Sequence, residues 1–241
     1  MKFLNIDSPL MQALSKIADL LILNLLTLLC CIPIITVGPA LTALNYMTLK
    51  MVRNEETYIA RGFFKSFKEN FRQSTLIWLL FLVLGLLLAG DYIILISSEM
   101  QYSNVMQVLI LVVAILEICT FLYTFPVLAK FQNTIKTTLK NAFLISIMQF
   151  PKTIVMIVVY LIPLVIFWIS FQLIPFVFFF GLSVPAWISA KLYNKFFKKL
   201  EDKYWEEHGG NPEAGEQDED VEDERIFRDE LDESLQGKTI Q

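Results

Sequence analysis

The apolar runs of this chain constrain its fold more than any other feature, because each is about as long as a helix that crosses a membrane. About 20 predominantly apolar residues span a hydrocarbon core about 30 Å thick. Runs of that order occupy residues 17–35, 75–97 and 104–129, and a longer run occupies residues 153–193. The longer run equals about two crossings, so we predict a helical hairpin that reverses at residues 170–175. Hydrophobic residues make up 55% of the chain, which exceeds the usual composition of soluble proteins.

Residues 39–52 form a shorter apolar segment, and whether it crosses decides the predicted topology. A helix of this length reaches only about 21 Å, so the segment is either a short tilted crossing or a partly inserted helix. Lysine and arginine concentrate in the cytoplasmic loops of membrane proteins. A crossing here gives six spans and places all 20 Lys and Arg residues inside, whereas five spans leave Lys2 and Lys16 outside. The sequence therefore predicts an all-α bundle of six transmembrane spans in antiparallel hairpins, with both termini in the cytoplasm.

Charge divides the chain into a transmembrane domain, residues 1–200, and an acidic tail, residues 201–241. The first part carries 16 basic and 8 acidic residues, whereas the tail carries 4 basic and 16 acidic residues. High net charge with few apolar residues predicts a mostly disordered cytoplasmic tail. The tail either stays solvated or presents one apolar edge, to a cytoplasmic partner or to the protein's own basic surface. The residues of that edge are Phe227, Leu231 and Leu235, which recur every four positions, with Ile226 adjacent.

Two basic segments on the predicted inner side repeat one aromatic pattern. Apolar residues at positions i, i+1, i+4 and i+8 lie on one face of a helix, and lysines surround that face in both segments. This pattern predicts cytoplasmic amphipathic helices, which either anchor the protein at the lipid headgroups or dock onto a partner. The candidate docking residues are Phe63, Phe64, Phe67, Phe71, Phe196 and Phe197.

Polar residues within the predicted spans are candidates for function, because burying them in a membrane costs free energy. They are Glu117, Asp91, Asp19 and Asn24. If Glu117 and Asp91 face one cavity, they are suited to binding a cation or relaying a proton. The alternative is that each fixes the packing of its helix or stays solvated at an interface.

Enzymatic chemistry has little support in the sequence. The chain has one histidine, His208, in the hydrophilic part, and the three cysteines lack the spacing of a zinc site or a redox pair. We predict no catalytic residues, no cofactor and no metal site.

Several motifs together resemble those of a known family. They are the opening residues 3–9, the polar-interrupted first span, residues 37–44 (VGPALTAL), and a basic loop that ends in residues 63–67 (FFKSF). Over residues 1–200 the chain resembles the YesL family of bacterial multi-pass membrane proteins, whose biochemistry is unsettled. The resemblance implies a Gram-positive cytoplasmic membrane and genes beside carbohydrate ABC transporters.

The leading functional hypothesis combines this resemblance with the partner-like surfaces. We expect a non-enzymatic accessory or regulatory partner of a carbohydrate ABC transporter, which contacts permease or ATPase subunits. The partners are then the lipid bilayer and these subunits, with no nucleic acid, and homo-oligomers are compatible with the sequence. The alternative is an independent small-solute transporter or channel.

Overall fold

The computed structural model describes residues 9–55, 58–97, 104–131, 133–169 and 171–208, which are helical apart from short connections. The α-helices are α1 (Pro9–Cys31), α2 (Val37–Arg53), α3 (Ile59–Ser97), α4 (Asn104–Lys130), α5 (Ile135–Met148), α6 (Phe150–Ile169), α7 (Ile174–Phe180) and α8 (Ser183–His208). Two 3₁₀ turns, Ile34–Thr36 and Phe171–Leu173, connect α1 to α2 and α6 to α7. The helix break predicted at residues 170–175 is confirmed by the second of these turns.

Four of these helices, α1, α3, α4 and α6, are long and apolar enough to cross a membrane. A fifth crossing is formed if α7 and α8, which meet at a bend of 50°, count as one broken span. The chain is therefore an all-α membrane protein with four or five candidate spans among its described residues. The sixth span of the predicted topology would be α2, which has 17 residues.

Helix α2 lies in the centre of the bundle, where α1, α3, α4 and α8 pack around it. Twelve of its residues are buried, and they follow one another almost without interruption from Gly38 to Met51. A helix covered on all sides does not need the apolar surface of a lipid-facing span, which explains why this segment combines alanines with Thr42, Asn45 and Thr48.

The connection between α2 and α3 begins at Asn54, the only described non-glycine residue with a positive φ, at 55°. Asparagine tolerates this left-handed conformation better than most residues, and its N–H bonds back to the last carbonyls of α2. The Asn54 side chain also accepts a hydrogen bond from Lys16 Nζ at 3.0 Å. This contact brings the first turns of α1 to the end of the bundle where α3 begins.

Helix α3 has 39 residues and a length of about 58 Å, almost twice the thickness of a hydrocarbon core. Its first half packs beside α2 in antiparallel fashion. A Cβ atom on Gly38, at the start of α2, would overlap the Ser74 carbonyl oxygen and lie 2.7 Å from Trp78 Cβ. Residues 59–74, which carry the basic side chains of α3, therefore lie alongside α2, and the apolar second half extends beyond it.

The second half of α3 pairs with the first half of α4, and we call residues 79–95 and 105–118 the apolar hairpin. Large apolar side chains are exposed along both arms, among them Val83, Leu87, Val108 and Val112. The second half of α4 is different, because residues 123–129 are buried without exception. We call the part of the bundle around α2 the packed end.

Candidate functional site: a polar seam between α2 and α8

Small side chains allow α2 and α8 to approach closely. Ala40 and Ala43 of α2 and Ala186 and Ala190 of α8 are all fully buried. Small residues let helix backbones come together in a membrane, where apolar burial alone gives no preference for protein over lipid. This close approach places the polar groups of the two helices within hydrogen-bonding distance of each other.

Along this interface lies a polar seam, which consists of Asn45, Thr48, Arg53, Tyr193, Asn194 and Glu201. At its centre, the Tyr193 hydroxyl donates to Asn45 Oδ1 at 3.3 Å. Asn45 Nδ2 donates to the Leu41 carbonyl oxygen at 2.8 Å, and the Thr48 hydroxyl donates to the carbonyl oxygen of Asn45 at 3.1 Å. Tyr193 is one of the largest fully buried side chains described, so this bond fixes its ring in the core.

At one end of the seam, Arg53 forms a two-bond ion pair with Glu201. Arg53 Nη2 lies 2.6 Å from Glu201 Oε1, and Nη1 lies 3.0 Å from Oε2. The third guanidinium nitrogen, Nε, donates to Asn194 Oδ1 at 2.9 Å. The two charged side chains are only 8% and 12% exposed. A planar guanidinium suits this parallel pairing, and the pair joins the ends of α2 and α8 across 148 residues of sequence.

A second polar contact holds the break between α7 and α8. Asn24 of α1 is fully buried. Its Nδ2 donates to the Phe178 carbonyl oxygen at 2.8 Å, and its Oδ1 accepts from the backbone N–H groups of Leu182 and Ser183, both at 2.9 Å. Broken helices are tolerated in membranes only where neighbouring groups satisfy the freed backbone atoms. The sequence marked Asn24 as a candidate, and the structure gives it this role.

The three acidic candidates lie apart from one another. Glu117 on α4 is half-buried. Its carboxylate faces α3, since a Cβ atom added to Gly85 would lie 3.7 Å from Glu117 Oε1. Asp91 is exposed, and six residues of helix rotate it by about 240° from Gly85. Asp19 is half-buried in α1. Glu117 and Asp91 therefore do not lie at the same face of α3. A shared acidic site would require them to do so.

The aromatic candidates divide by burial. Phe63 and Phe197 are fully buried in two separate core clusters on either side of α2. Phe67 and Phe196 are half-buried, whereas Phe64 and Phe71 are exposed. Docking by Phe64 and Phe71 stays a prediction, and the tail candidates Ile226, Phe227 and Leu231 lie outside the described residues.

Sequence reasoning missed the polar seam. From the sequence alone, Arg53 is one more basic residue of a predicted inside loop, and Glu201 is the first acidic residue of the tail. A usable signal was present, because asparagine and threonine recur within residues 39–52 at positions 42, 45 and 48. Polar residues three apart on an otherwise apolar helix indicate a polar face, which requires a partner helix.

The arrangement is suited to holding helices together. Within the described part of the chain, no group of three or more His, Cys, Asp or Glu residues could hold a metal ion. The Arg53 guanidinium, the Asn24 amide and the Tyr193 hydroxyl are instead bonded to protein groups. The seam thus fixes the register of α2 and α8, and Asn24 fixes the geometry of the broken span.

Comparison with known proteins gives one match. Residues 20–92 match the family described as "Protein of unknown function, DUF624". The match covers less than a third of the chain, from the middle of α1 through α2 to the apolar half of α3. It includes Asn24 and the α2 half of the polar seam. No curated protein and no solved structure matches the chain.

Proposed function

We propose that this protein is a non-enzymatic accessory or regulatory subunit of a carbohydrate ABC transporter in a bacterial cytoplasmic membrane. The resemblance of residues 1–200 to the YesL family supports the choice of transporter, because that family is often encoded beside such systems. Within the protein, the apolar hairpin supports a role as a subunit of a larger membrane complex. It offers a lateral surface for permease helices, separate from the contacts that stabilise the bundle itself.

The hairpin is the observation that carries this proposal. On the outward face of α4, Val108, Val112 and Ile115 are 59%, 48% and 47% exposed. The opposite face meets α3, where Glu117 lies beside Gly85. The remaining sides of the two arms present apolar surface, and in a membrane either lipid or another helix covers such a surface.

The proposed topology has cytoplasmic termini, with α2 inserted only partly instead of forming a sixth crossing. Two contacts support this topology, the hydrogen bond of Lys16 to Asn54 and the ion pair of Glu201 with Arg53. They bring the start of α1, the α2–α3 connection and the last turns of α8 to one end of the bundle. Since α1 and α2 form a hairpin that returns to this end, the N-terminus and the start of α3 share one side even if α2 is inserted only partly. The contact of α2 with the basic half of α3 favours partial insertion.

Affinity purification in a mild detergent from the native membrane tests the proposal. The expected result is recovery of transporter permease or ATPase subunits with the tagged full-length protein. A tagged, unrelated multi-pass protein expressed at the same level is the control for non-specific capture. Repeated recovery of the protein alone, from membranes in which the transporter is expressed, would contradict a subunit role.

A further inference from the structure

The first half of α3 carries an exposed surface that joins aromatic and basic side chains, and we call it the basic stripe. Phe64 and Phe71 are 43% and 40% exposed and lie seven residues apart, which places them on one helical face. The basic members are Arg61, Lys65, Lys68 and Arg72, all exposed. In the part of the chain that the structure describes, none of these four side chains forms an ion pair.

The basic stripe lies outside the hydrocarbon core when the second half of α3 crosses it. The apolar part of α3 begins near residue 75, and residues 75–97 alone extend about 35 Å. Residues 59–74 add about 24 Å, so they extend past the membrane surface. The exposed phenylalanines thus lie beyond the hydrocarbon core, where aromatic surface left in contact with water is unfavourable.

The sequence of the chain itself contains a segment of complementary chemistry. Residues 209–241 carry 12 acidic and 3 basic residues. They also contain the adjacent residues Ile226 and Phe227, and Leu231 follows Phe227 by four positions. We propose that this acidic segment docks onto the basic stripe of the same molecule, with its apolar residues against Phe64 and Phe71. The carboxylates then neutralise the four basic side chains, and the contact occupies the face that would otherwise meet anionic headgroups.

The geometry of α8 makes this contact reachable. Glu201 is held at Arg53, the last residue of α2, so α8 leaves the bundle at the end where α3 begins. Residues 209–227 number 19 and reach at most about 63 Å when fully extended, whereas Phe71 lies about 18 Å along α3 from Ile59. A tethered segment within this reach has an effective concentration of about millimolar, so even a weak electrostatic contact is populated.

Anionic lipid headgroups compete with the acidic segment for the basic stripe. Docking and release of the segment therefore control whether the stripe contacts lipid. The segment is repelled by an anionic membrane surface because both are negative. High salt, or an acidic partner surface, releases the segment by weakening or replacing its contact with the stripe. This inference does not depend on the identity of the transporter, because it concerns two parts of one chain.

Photo-crosslinking tests the contact in the full-length protein. We place benzoylphenylalanine at Phe71, reconstitute the protein in nanodiscs with one-quarter anionic lipid, irradiate, and map products by mass spectrometry. The expected product joins residue 71 to peptides between residues 213 and 235. Mixing isotopically labelled and unlabelled protein distinguishes crosslinks within one chain from those between copies.

Charge reversal supplies the matched controls. Lys65→Glu/Lys68→Glu lowers the yield of the tail crosslink by about tenfold, because two attractive pairs become repulsive. Lys198→Glu/Lys199→Glu reverses two exposed lysines of α8 and leaves the yield within about twofold. Since all four side chains are exposed, neither variant disturbs the core.

Three results would overturn the inference. They are crosslinks to lipid alone, crosslinks only between labelled and unlabelled copies, or a yield that responds equally to both charge reversals. Trypsin provides a second measurement, because removing residues 209–241 speeds cleavage at Lys65 and Lys68 relative to Lys198 and Lys199 in the same chain. An unchanged ratio of these cleavage rates contradicts docking even if the crosslinking variants express poorly.

Discussion

The packed end and the apolar hairpin use their apolar side chains in opposite ways. At the packed end, Met47, Phe63 and Tyr193 are fully buried, and interior polar groups bond to one another. In the hairpin, the side chains of Val108 and Leu86 are mostly exposed. Hydropathy therefore indicates which segments enter a membrane, whereas polar and small residues determine which segments pack against their own chain.

The largest effect should come from breaking the ion pair at the packed end. Arg53→Ala leaves Glu201 buried without its partner, and we expect a loss of about 3–5 kcal/mol in the free energy of unfolding. Reversible unfolding in mixed micelles, followed by tryptophan fluorescence, measures it. Arg53→Met/Glu201→Leu is the control, because removing both charges should restore most of the stability. A single variant as stable as the double variant would show that the pair is not buried in solution.

Asn24→Leu should produce the next largest effect, because it removes the three hydrogen bonds that the Asn24 side chain forms at the α7–α8 break. Unsatisfied backbone groups at Phe178, Leu182 and Ser183 should lower the free energy of unfolding by about 2–4 kcal/mol. Thr27→Val is the control on the same helix, since the buried Thr27 hydroxyl bonds only to the Leu23 carbonyl oxygen of its own turn. If both variants lose equal stability in the same unfolding assay, Asn24 does not hold the break.

A pair of glycines compares the two regions directly. Gly38→Ala forces the start of α2 away from Ser74 and Trp78, and such overpacking should destabilise the protein by about 1–3 kcal/mol. Gly90→Ala in the apolar hairpin meets no atom within 4 Å, so the higher helix propensity of alanine should leave stability equal or raise it by up to about 1 kcal/mol. Thermal unfolding of both variants provides the measurement. A destabilising Gly90→Ala would mean that the hairpin is covered by something.

Much of this fold is predictable from hydropathy and period alone. The helical class and the break after Ile169 follow from the lengths of the apolar runs. The central position of α2 does not follow, because a short apolar segment looks the same whether it is tilted in lipid or enclosed by other helices. The decisive facts are side-chain contacts such as Tyr193 to Asn45, which join residues about 150 positions apart and leave no local pattern.

The candidate site, like the fold, is only partly predictable from the sequence. Asn24 was predictable because an amide within an apolar run must find partners, although nothing in the sequence named the backbone of residues 178–183 as those partners. Phe63 and Phe64 are neighbours in one motif, yet the first is fully buried and the second is 43% exposed. The rotation of α3 against α2 decides between them, and the close approach of Gly38 to Ser74 is part of that packing.

The smallest effect on stability, and the sharpest test of the comparison, concerns the outward face of the hairpin. Val112→Trp adds a bulky side chain where 48% of the valine is exposed, so the free energy of unfolding in detergent should change by no more than about 0.5 kcal/mol. Val127→Trp at the packed end is the contrasting variant, because Val127 is fully buried and cannot accommodate an indole.

The same Val112→Trp variant also tests whether lipid or another protein covers the outward face of the hairpin. Lipid chains rearrange around a tryptophan, whereas a packed helix does not, because tight interfaces in membranes rely on small gaps between backbones. If a permease covers this face, the variant should lose most of the co-purified partner while it retains its own stability. If it retains both, the outward face of α4 meets lipid, and a subunit contact must lie on the α3 side, where Val83→Trp provides the equivalent test.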